Sequence, residues 1–268
     1  PLKSVVASLG ASESMLELIS PLLILLITWI CLRLRRQSLS SVGLKLNLSW
    51  CKQLGLGFII GCLLISITAG LIWAIGGIDF SVNLGSSKSL VLMGFYGFVL
   101  GAFLEELLHR GFIFQRLIDG IGVWPAQLLI ATLFTVGHWG NPGMQGVTQV
   151  ISSLDLFIGS LLFGLAYIKT QSLAMPIGLH IGWNWFQGNI LGFSVSGHEA
   201  NGLLSPEFND TPLWLTGGEF GLEASIFSVL VGSVALTLLY FYKGTHHSLN
   251  PQNSEVSQKT DKAVLQNT

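Results

Sequence analysis

Two adjacent glutamates lie inside a strongly apolar stretch of the sequence, where carboxylates are rare. Glu105 and Glu106 follow the apolar run 90–104 and precede Arg110 by about one helical turn. Ionisable groups in hydrocarbon are costly, so such a cluster predicts a functional site. Glu106 and Arg110 share a helical face and are predicted to form an ion pair. Glu105, without a partner nearby in the sequence, is the predicted general base for water activation. An ion-pair network that only locks helices together is the alternative.

Two further apolar segments each carry a polar constellation. His138 ends one segment, four residues after Phe134, and His180 and Asn184 project from one face of another. An imidazole and a carboxamide on one face can hold a water molecule or donate to a developing oxyanion. Taken singly, each constellation also fits a helix terminus or an interhelical hydrogen bond. Together with the glutamates, they predict a hydrolytic site inside a membrane.

Composition places the chain among polytopic membrane proteins. Its 268 residues are 50% hydrophobic and 10% charged, and the mean hydropathy is +0.64, whereas soluble domains are roughly 25% charged. The formal net charge is −1, and the sequence has no basic block that would indicate nucleic acid binding. The chain begins with Pro1 rather than Met, which leaves room for further N-terminal sequence.

Seven apolar segments are predicted to form membrane helices, judged against the roughly 20 residues that a span needs. They are 15–32, 54–75, 90–114, 125–139, 154–168, 173–190 and 224–242. The fourth and fifth are short, so we expect them to be tilted, shielded by neighbours or partly re-entrant. The predicted fold class is all-α, a transmembrane bundle of about seven spans with the site within the membrane. Gly94, Gly97 and Gly101 in the third segment are predicted to serve close helix packing.

The distribution of basic residues predicts the orientation in the membrane. The loop between the first two segments contains Arg33, Arg35, Arg36, Lys45 and Lys52. The positive-inside rule places this loop in the cytoplasm, and alternation of the spans then places residues 192–221 outside. The aromatic residues of that outer stretch favour a position along the membrane interface.

The three constellations resemble, in order, the motifs of the CPBP family, which comprises CAAX prenyl endopeptidases and bacteriocin-processing or bacteriocin-immunity proteins, also called Abi proteins. The matching motifs are Glu105-Glu106-x-x-x-Arg110, Phe134-x-x-x-His138 and His180-x-x-x-Asn184. The flanks 138–143 and 175–188 are similar to those of bacterial members. His109 departs from the family pattern, in which an aromatic residue often precedes the Arg-Gly pair.

The resemblance implies an intramembrane endopeptidase that uses a glutamate-activated water molecule. The catalytic residues carried over to this chain are Glu105, His138, His180 and Asn184. The residues expected to support them are Glu106, His109, Arg110 and Phe134, with His109 also a candidate fourth member of the site. Glu105 would activate the water with the assistance of His138, and the residues of the third motif would stabilise the oxyanion. Relatives were long classed as metalloproteases; we favour a mechanism without a metal cofactor, and zinc held by Glu105, His138 and His180 stays open as the alternative.

The implied partners are the lipid bilayer and a membrane-associated or lipidated protein or peptide. The resemblance also implies a multi-pass protein of a bacterial-type plasma membrane. Its protease domain would span 1–245 with a motif core at 90–197, followed by a polar and disordered tail at 246–268. The strongest rival is a non-catalytic immunity or scaffold protein that keeps the fold. A transporter is a further alternative, because carboxylates and histidines also serve proton relays.

Overall fold

The computed structural model describes residues 13–242, with side chains from residue 18 onward, and it is mostly helical. Its helices are α1 (Glu13–Leu34), α2 (Leu48–Ala74), α3 (Lys88–Arg110), α4 (Phe112–Ile121), α5 (Val123–Gly137), α6 (Gly146–Thr170), α7 (Ala174–Trp185), α8 (Leu213–Thr216) and α9 (Ile226–Phe241). A π-helical turn (Phe186–Ile190) continues α7. Each of the seven predicted apolar segments overlaps a helix. The predicted tail 246–268 lies outside the described residues.

Three of these helices differ from the predicted segments, and α2 does so by beginning at Leu48 rather than at 54. The third segment is interrupted at Gly111, which separates α3 from α4. α6 has 25 residues and begins before the predicted 154–168, because Thr, Gln and Ser side chains in 146–153 hide its apolar pattern. Among the described residues, three helical segments are long and apolar enough to cross a membrane: α2, α3 with α4, and α6.

The helical architecture agrees with the all-α prediction, and the described residues add one short pair of strands that was not predicted. The strands β1 (Ile78–Val82) and β2 (Leu204–Phe208) pair in antiparallel fashion. Residues 78–82 alternate apolar and polar side chains, the pattern of a half-buried strand. Through this pair, residues 192–224, which we call the cap segment, are tied to the helices. The cap segment is anchored further by Phe193 and Phe220, both almost fully buried.

A close crossing of α2 and α7 sets the position of the third motif. A Cβ atom at Gly61 of α2 would overlap the carbonyl oxygen of Leu179, and one at Gly182 of α7 would overlap that of Phe58. Glycines four residues apart on both helices therefore allow the two backbones to touch, as in small-xxx-small membrane packing. His180 lies about 200° round the helix from Gly182, so the crossing directs its side chain away from α2.

The glycines that were expected to serve packing behave differently. A Cβ atom at Gly94 would overlap the side chain of Asn189. Around Gly97 and Gly101, however, no described atom lies within 4 Å of the place where a Cβ atom would be. The packing prediction was wrong for these two residues, because the spacing of glycines along a helix does not reveal which face meets a neighbour.

The outside of the bundle is apolar, and charges lie within it. α2 presents a stripe with helical spacing in which every side chain is at least 50% exposed, formed by Leu56, Ile59, Leu63 and Ile67. Glu106 and Arg110 are 0% exposed. A continuous exposed apolar surface of this kind marks an interaction surface, and lipid is the partner that suits a stripe running along a membrane-length helix.

Candidate active site

A cavity of about 590 Å³ collects the four side chains that were predicted to be catalytic. Its walls come from α3, α5, α6 and α7, and the cap segment also contributes side chains. The predicted residues that line it are Glu105, His109, Phe134, His138, His180 and Asn184. Glu106 and Arg110 lie behind the wall, fully buried.

His138 reaches this cavity because α5 is short and ends at Gly137. The turn that follows is covered by the cap segment: Asn141 Nδ2 donates to the Ser196 carbonyl at 2.9 Å, and Met144 packs with buried Phe220. Irregular backbone at membrane depth is tolerated where protein covers it. The cap segment therefore permits a helix end, and with it His138, to lie inside the bundle.

Glu106 joins three helices through charged and polar contacts. Its Oε1 accepts a hydrogen bond from Arg110 Nη1 at 3.2 Å, so the ion pair expected from the spacing is present. The same oxygen accepts from His180 Nδ1 at 2.9 Å. Arg110 Nη2 in turn donates to Ser160 on α6, at 3.0 Å to the carbonyl and 2.6 Å to Oγ. A buried charge is tolerated when it is paired and hydrogen-bonded in this way.

Glu105, unlike Glu106, faces the cavity. Its side chain is 34% exposed, and among the described residues nothing donates a hydrogen bond to its buried Oε2. That oxygen lies 3.8 Å from His180 Nε2, which is too long for a hydrogen bond. A water molecule beside the pair would be within reach of both atoms.

Three of the four histidines that line the cavity share one arrangement. Nδ1 lies 2.7 Å from the Phe134 carbonyl in His138, 2.8 Å from the Glu105 carbonyl in His109 and 2.9 Å from the Glu106 carboxylate in His180. Carbonyl and carboxylate oxygens accept, so each Nδ1 carries the proton. Each ring is thereby held in one tautomer, with Nε2 left for the cavity.

Two aromatic rings fix the planes of these imidazoles. Phe163 stacks on His180 with 5.2 Å between ring centroids, and Phe134 contacts His138 at 4.6 Å and His109 at 5.1 Å. Sequence reasoning missed Phe163 and the Arg110–Ser160 contact. Phe163 and Ser160 do not lie within a few residues of a motif, so no local spacing signals them.

A catalytic zinc site needs three protein ligands close together. Across residues 13–242, no group of three or more His, Cys, Asp and Glu side chains lies close enough together to hold a metal ion. Glu105, His138 and His180 line one cavity without forming such a group. The donor set as it stands does not fit a three-ligand zinc site.

Further polar side chains of the cavity were not predicted. They are Asp155, Ser196, His198, Glu199 and Glu223. His198 lies in the cap segment, outside the predicted helices, and the fold of that segment brings it to the cavity. Asp155 is a carboxylate within the apolar segment 154–168, the same signal that had singled out Glu105. Burial raises the pKa of the Glu223 carboxyl above its ordinary 4.5, partly opposed by hydrogen bonds from Ser196 and Gln187 and by the nearby His138.

Comparison with known proteins bears on this region of the chain. Residues 87–186 match the family model described as Rce1-like, type II CAAX prenyl endopeptidase. The matched stretch includes all three motifs. No curated protein and no solved structure matches the chain. The family match confirms the resemblance predicted from the motifs: residues 87–186 are similar to the type II CAAX prenyl endopeptidases.

Proposed function

We propose that this protein is an intramembrane endopeptidase that hydrolyses peptide bonds with a water molecule activated by Glu105. One observation carries the proposal: the unpartnered Glu105 oxygen lies 3.8 Å from His180 Nε2, in a cavity that also holds His138 and Asn184. The match to a peptidase family supports the reaction class.

The reaction begins with a water molecule between Glu105 and the substrate carbonyl. The Glu105 carboxylate takes a proton from the water, the oxygen attacks the carbonyl carbon, and the C=O π electrons move onto the carbonyl oxygen. The Asn184 carboxamide donates to that oxyanion. When the intermediate collapses, the C–N bond breaks and the departing nitrogen takes the proton from Glu105.

The histidines contribute according to their tautomers. His180 donates from Nδ1 to Glu106, so Nε2 of the neutral ring accepts a hydrogen bond from the water, and a protonated ring donates from Nε2 to the oxyanion. His138, whose Nδ1 is held by the Phe134 carbonyl, polarises the water from Nε2 in the same manner. Both roles need a fixed ring, which Phe163 and Phe134 provide.

The substrate class we propose is a membrane-associated or lipidated protein or peptide. Apolar side chains share the cavity wall with the catalytic set, among them Phe98, Leu133, Leu162 and Trp183. They suit an apolar substrate segment or a lipid group, and the matched family is named for prenyl endopeptidases. The exposed apolar helix surfaces support a multi-pass protein of about seven spans, in a bacterial-type plasma membrane, with the site at membrane depth.

Purified protein and a library of prenylated and unprenylated peptides test this function. Wild type is expected to cleave a subset, and Glu105→Gln to lose about 10²- to 10⁴-fold in rate, the usual contribution of a general base. Glu207→Gln, which removes an exposed carboxylate on β2, is the matched control. Full activity of Glu105→Gln would refute the mechanism, and loss of wild-type activity in chelator would favour zinc. A wild type that cleaves nothing would favour the immunity or scaffold alternative.

A further inference from the structure

The cavity contains a second acidic feature that the proposed hydrolysis does not use. Asp155 of α6 is 6% exposed, Glu223 of the cap segment is 4% exposed, and both line the cavity. Two buried carboxylates that line one cavity repel each other when both are ionised. Burying like charges together is unfavourable unless something compensates for it.

The two carboxylates differ in how the protein satisfies them. Glu223 accepts from Gln187 Nε2 at 2.9 Å, from the Ser196 amide at 3.0 Å and from Ser196 Oγ at 3.2 Å. Asp155 has no such set among the described residues. The Ser228 hydroxyl of α9 lies beside it without making a hydrogen bond of ordinary geometry. Glu223 is thus held by the cap segment, while Asp155 is a buried carboxylate without an adequate donor.

Apart from its four histidines, the cavity wall carries ionisable side chains of one sign. Taking the lining residues that the structure describes, four are carboxylates and none is Lys or Arg; the carboxylates are Glu105, Asp155, Glu199 and Glu223. A concave surface with charges of one sign attracts ligands of the other. Acidic residues in membrane helices typically face a cavity and mark the path of a substrate or an ion.

We propose that Asp155, flanked by Glu223, binds a positively charged side chain of the substrate, a lysine or an arginine near the scissile bond. The inference rests on the proposed function, since it assigns a subsite within the same cavity. An ammonium or guanidinium group supplies the donors that Asp155 lacks and offsets its repulsion from Glu223. The aliphatic stem of such a side chain would lie along the neighbouring Leu156 and Leu162, which line the same wall.

An organic cation fits this place better than a metal ion. Asp155 and Glu223 are two carboxylates, and the part of the chain that the structure describes offers no third His, Cys, Asp or Glu grouped with them for a metal. A cationic side chain needs only one or two acceptors and carries its own apolar stem. The subsite therefore selects among peptides rather than holding a resident ion.

Equilibrium binding of peptides tests this subsite independently of catalysis. Fluorescent peptides that differ at one position, lysine against norleucine, are titrated into detergent-purified Glu105→Gln protein, with the position scanned along the peptide. We expect one position at which lysine binds about tenfold more tightly, the size of a modest ion pair. Adding Asp155→Asn should bring the ratio of lysine-peptide to norleucine-peptide affinity to about one. Adding Glu223→Gln should lower the same ratio. Adding Glu219→Gln, which removes an exposed carboxylate of the cap segment outside the cavity, should leave it unchanged.

Each outcome decides for or against the subsite. No lysine preference at any position, or a preference that survives Asp155→Asn, overturns the inference. If Asp155 serves only helix packing against Ser228, Asp155→Asn lowers the melting temperature and leaves the lysine-to-norleucine ratio unchanged. Should Asp155→Asn fail to fold, an undiminished ratio in Glu223→Gln overturns the inference and a reduced one supports it. If the binding assay shows a lysine preference but wild type cleaves no peptide, the subsite is supported and the peptidase is refuted. If wild type cleaves peptides but no lysine preference is found, the peptidase is supported and the subsite is refuted.

Discussion

Glu106 and His180 are joined by a 2.9 Å hydrogen bond between Oε1 and Nδ1, although 74 residues separate them in the chain. The same oxygen accepts from Arg110. Glu106 is therefore more than the stabilising half of an ion pair, because it also sets which nitrogen of His180 faces Glu105. A carboxylate behind a histidine commonly plays this orienting part.

The first prediction concerns the division of labour between the two glutamates. Glu106→Gln and Arg110→Ala are expected to lower stability more than Glu105→Gln, because breaking a buried pair leaves an uncompensated charge, at about 3–5 kcal/mol. Thermal unfolding in detergent measures the difference. Equal melting of all three variants would show that the assignment of roles is wrong. Glu106→Gln should also slow cleavage, since it disturbs the partner of His180.

The second prediction tests the crossing of α2 and α7. Gly61→Ala would push a methyl group into the Leu179 carbonyl, so the helices must separate and carry His180 with them. Overpacking of this kind costs about 1–3 kcal/mol, and activity should fall in parallel. Gly55→Ala is the matched control on the same helix, because its Cβ atom would meet nothing among the described residues. If both variants melt and cleave alike, the crossing does not position the site.

The third prediction concerns the pH dependence of stability. Burial raises the pKa of Glu223, so the folded state favours the protonated carboxyl more than the unfolded state does. This contribution to stability is fully present below the ordinary pKa of 4.5 and is lost as pH rises through the higher folded value. Glu223→Gln removes the titrating group. As pH rises above 4.5, the melting temperature of this variant should therefore fall less than that of wild type. Parallel curves for the two proteins would contradict the argument.

The fourth prediction concerns orientation. In a cysteine-free background, Lys45→Cys should be protected from an impermeant maleimide in intact cells and become labelled after lysis. Glu219→Cys in the cap segment should be labelled in intact cells. The physical reason is the positive-inside rule applied to the loop between α1 and α2. The opposite labelling pattern would show that the predicted orientation is wrong.

Sequence alone determined the helical segments, the Glu106–Arg110 pair and the identity of the polar residues placed in one cavity. These features are carried by local periodicity and by the rarity of charge in apolar segments, both of which can be read within one helix. Asp155 is also a charged residue within an apolar segment, although it was not among the predicted site residues. The alternation of apolar and polar residues in 78–82 likewise indicates a strand. Motif order also sufficed to identify the matched family.

Only the tertiary structure decided how those helices meet. The contact of His180 with Glu106, that of Arg110 with Ser160, and the folding of the cap segment over the end of α5 join residues far apart in the chain. Such contacts depend on which helix faces approach each other, and here backbone contact at Gly61 and Gly182 makes that choice. The spacing of residues along one helix indicates which residues form a site. The packing of the helices sets the distances between those residues, on which the chemistry of the site depends.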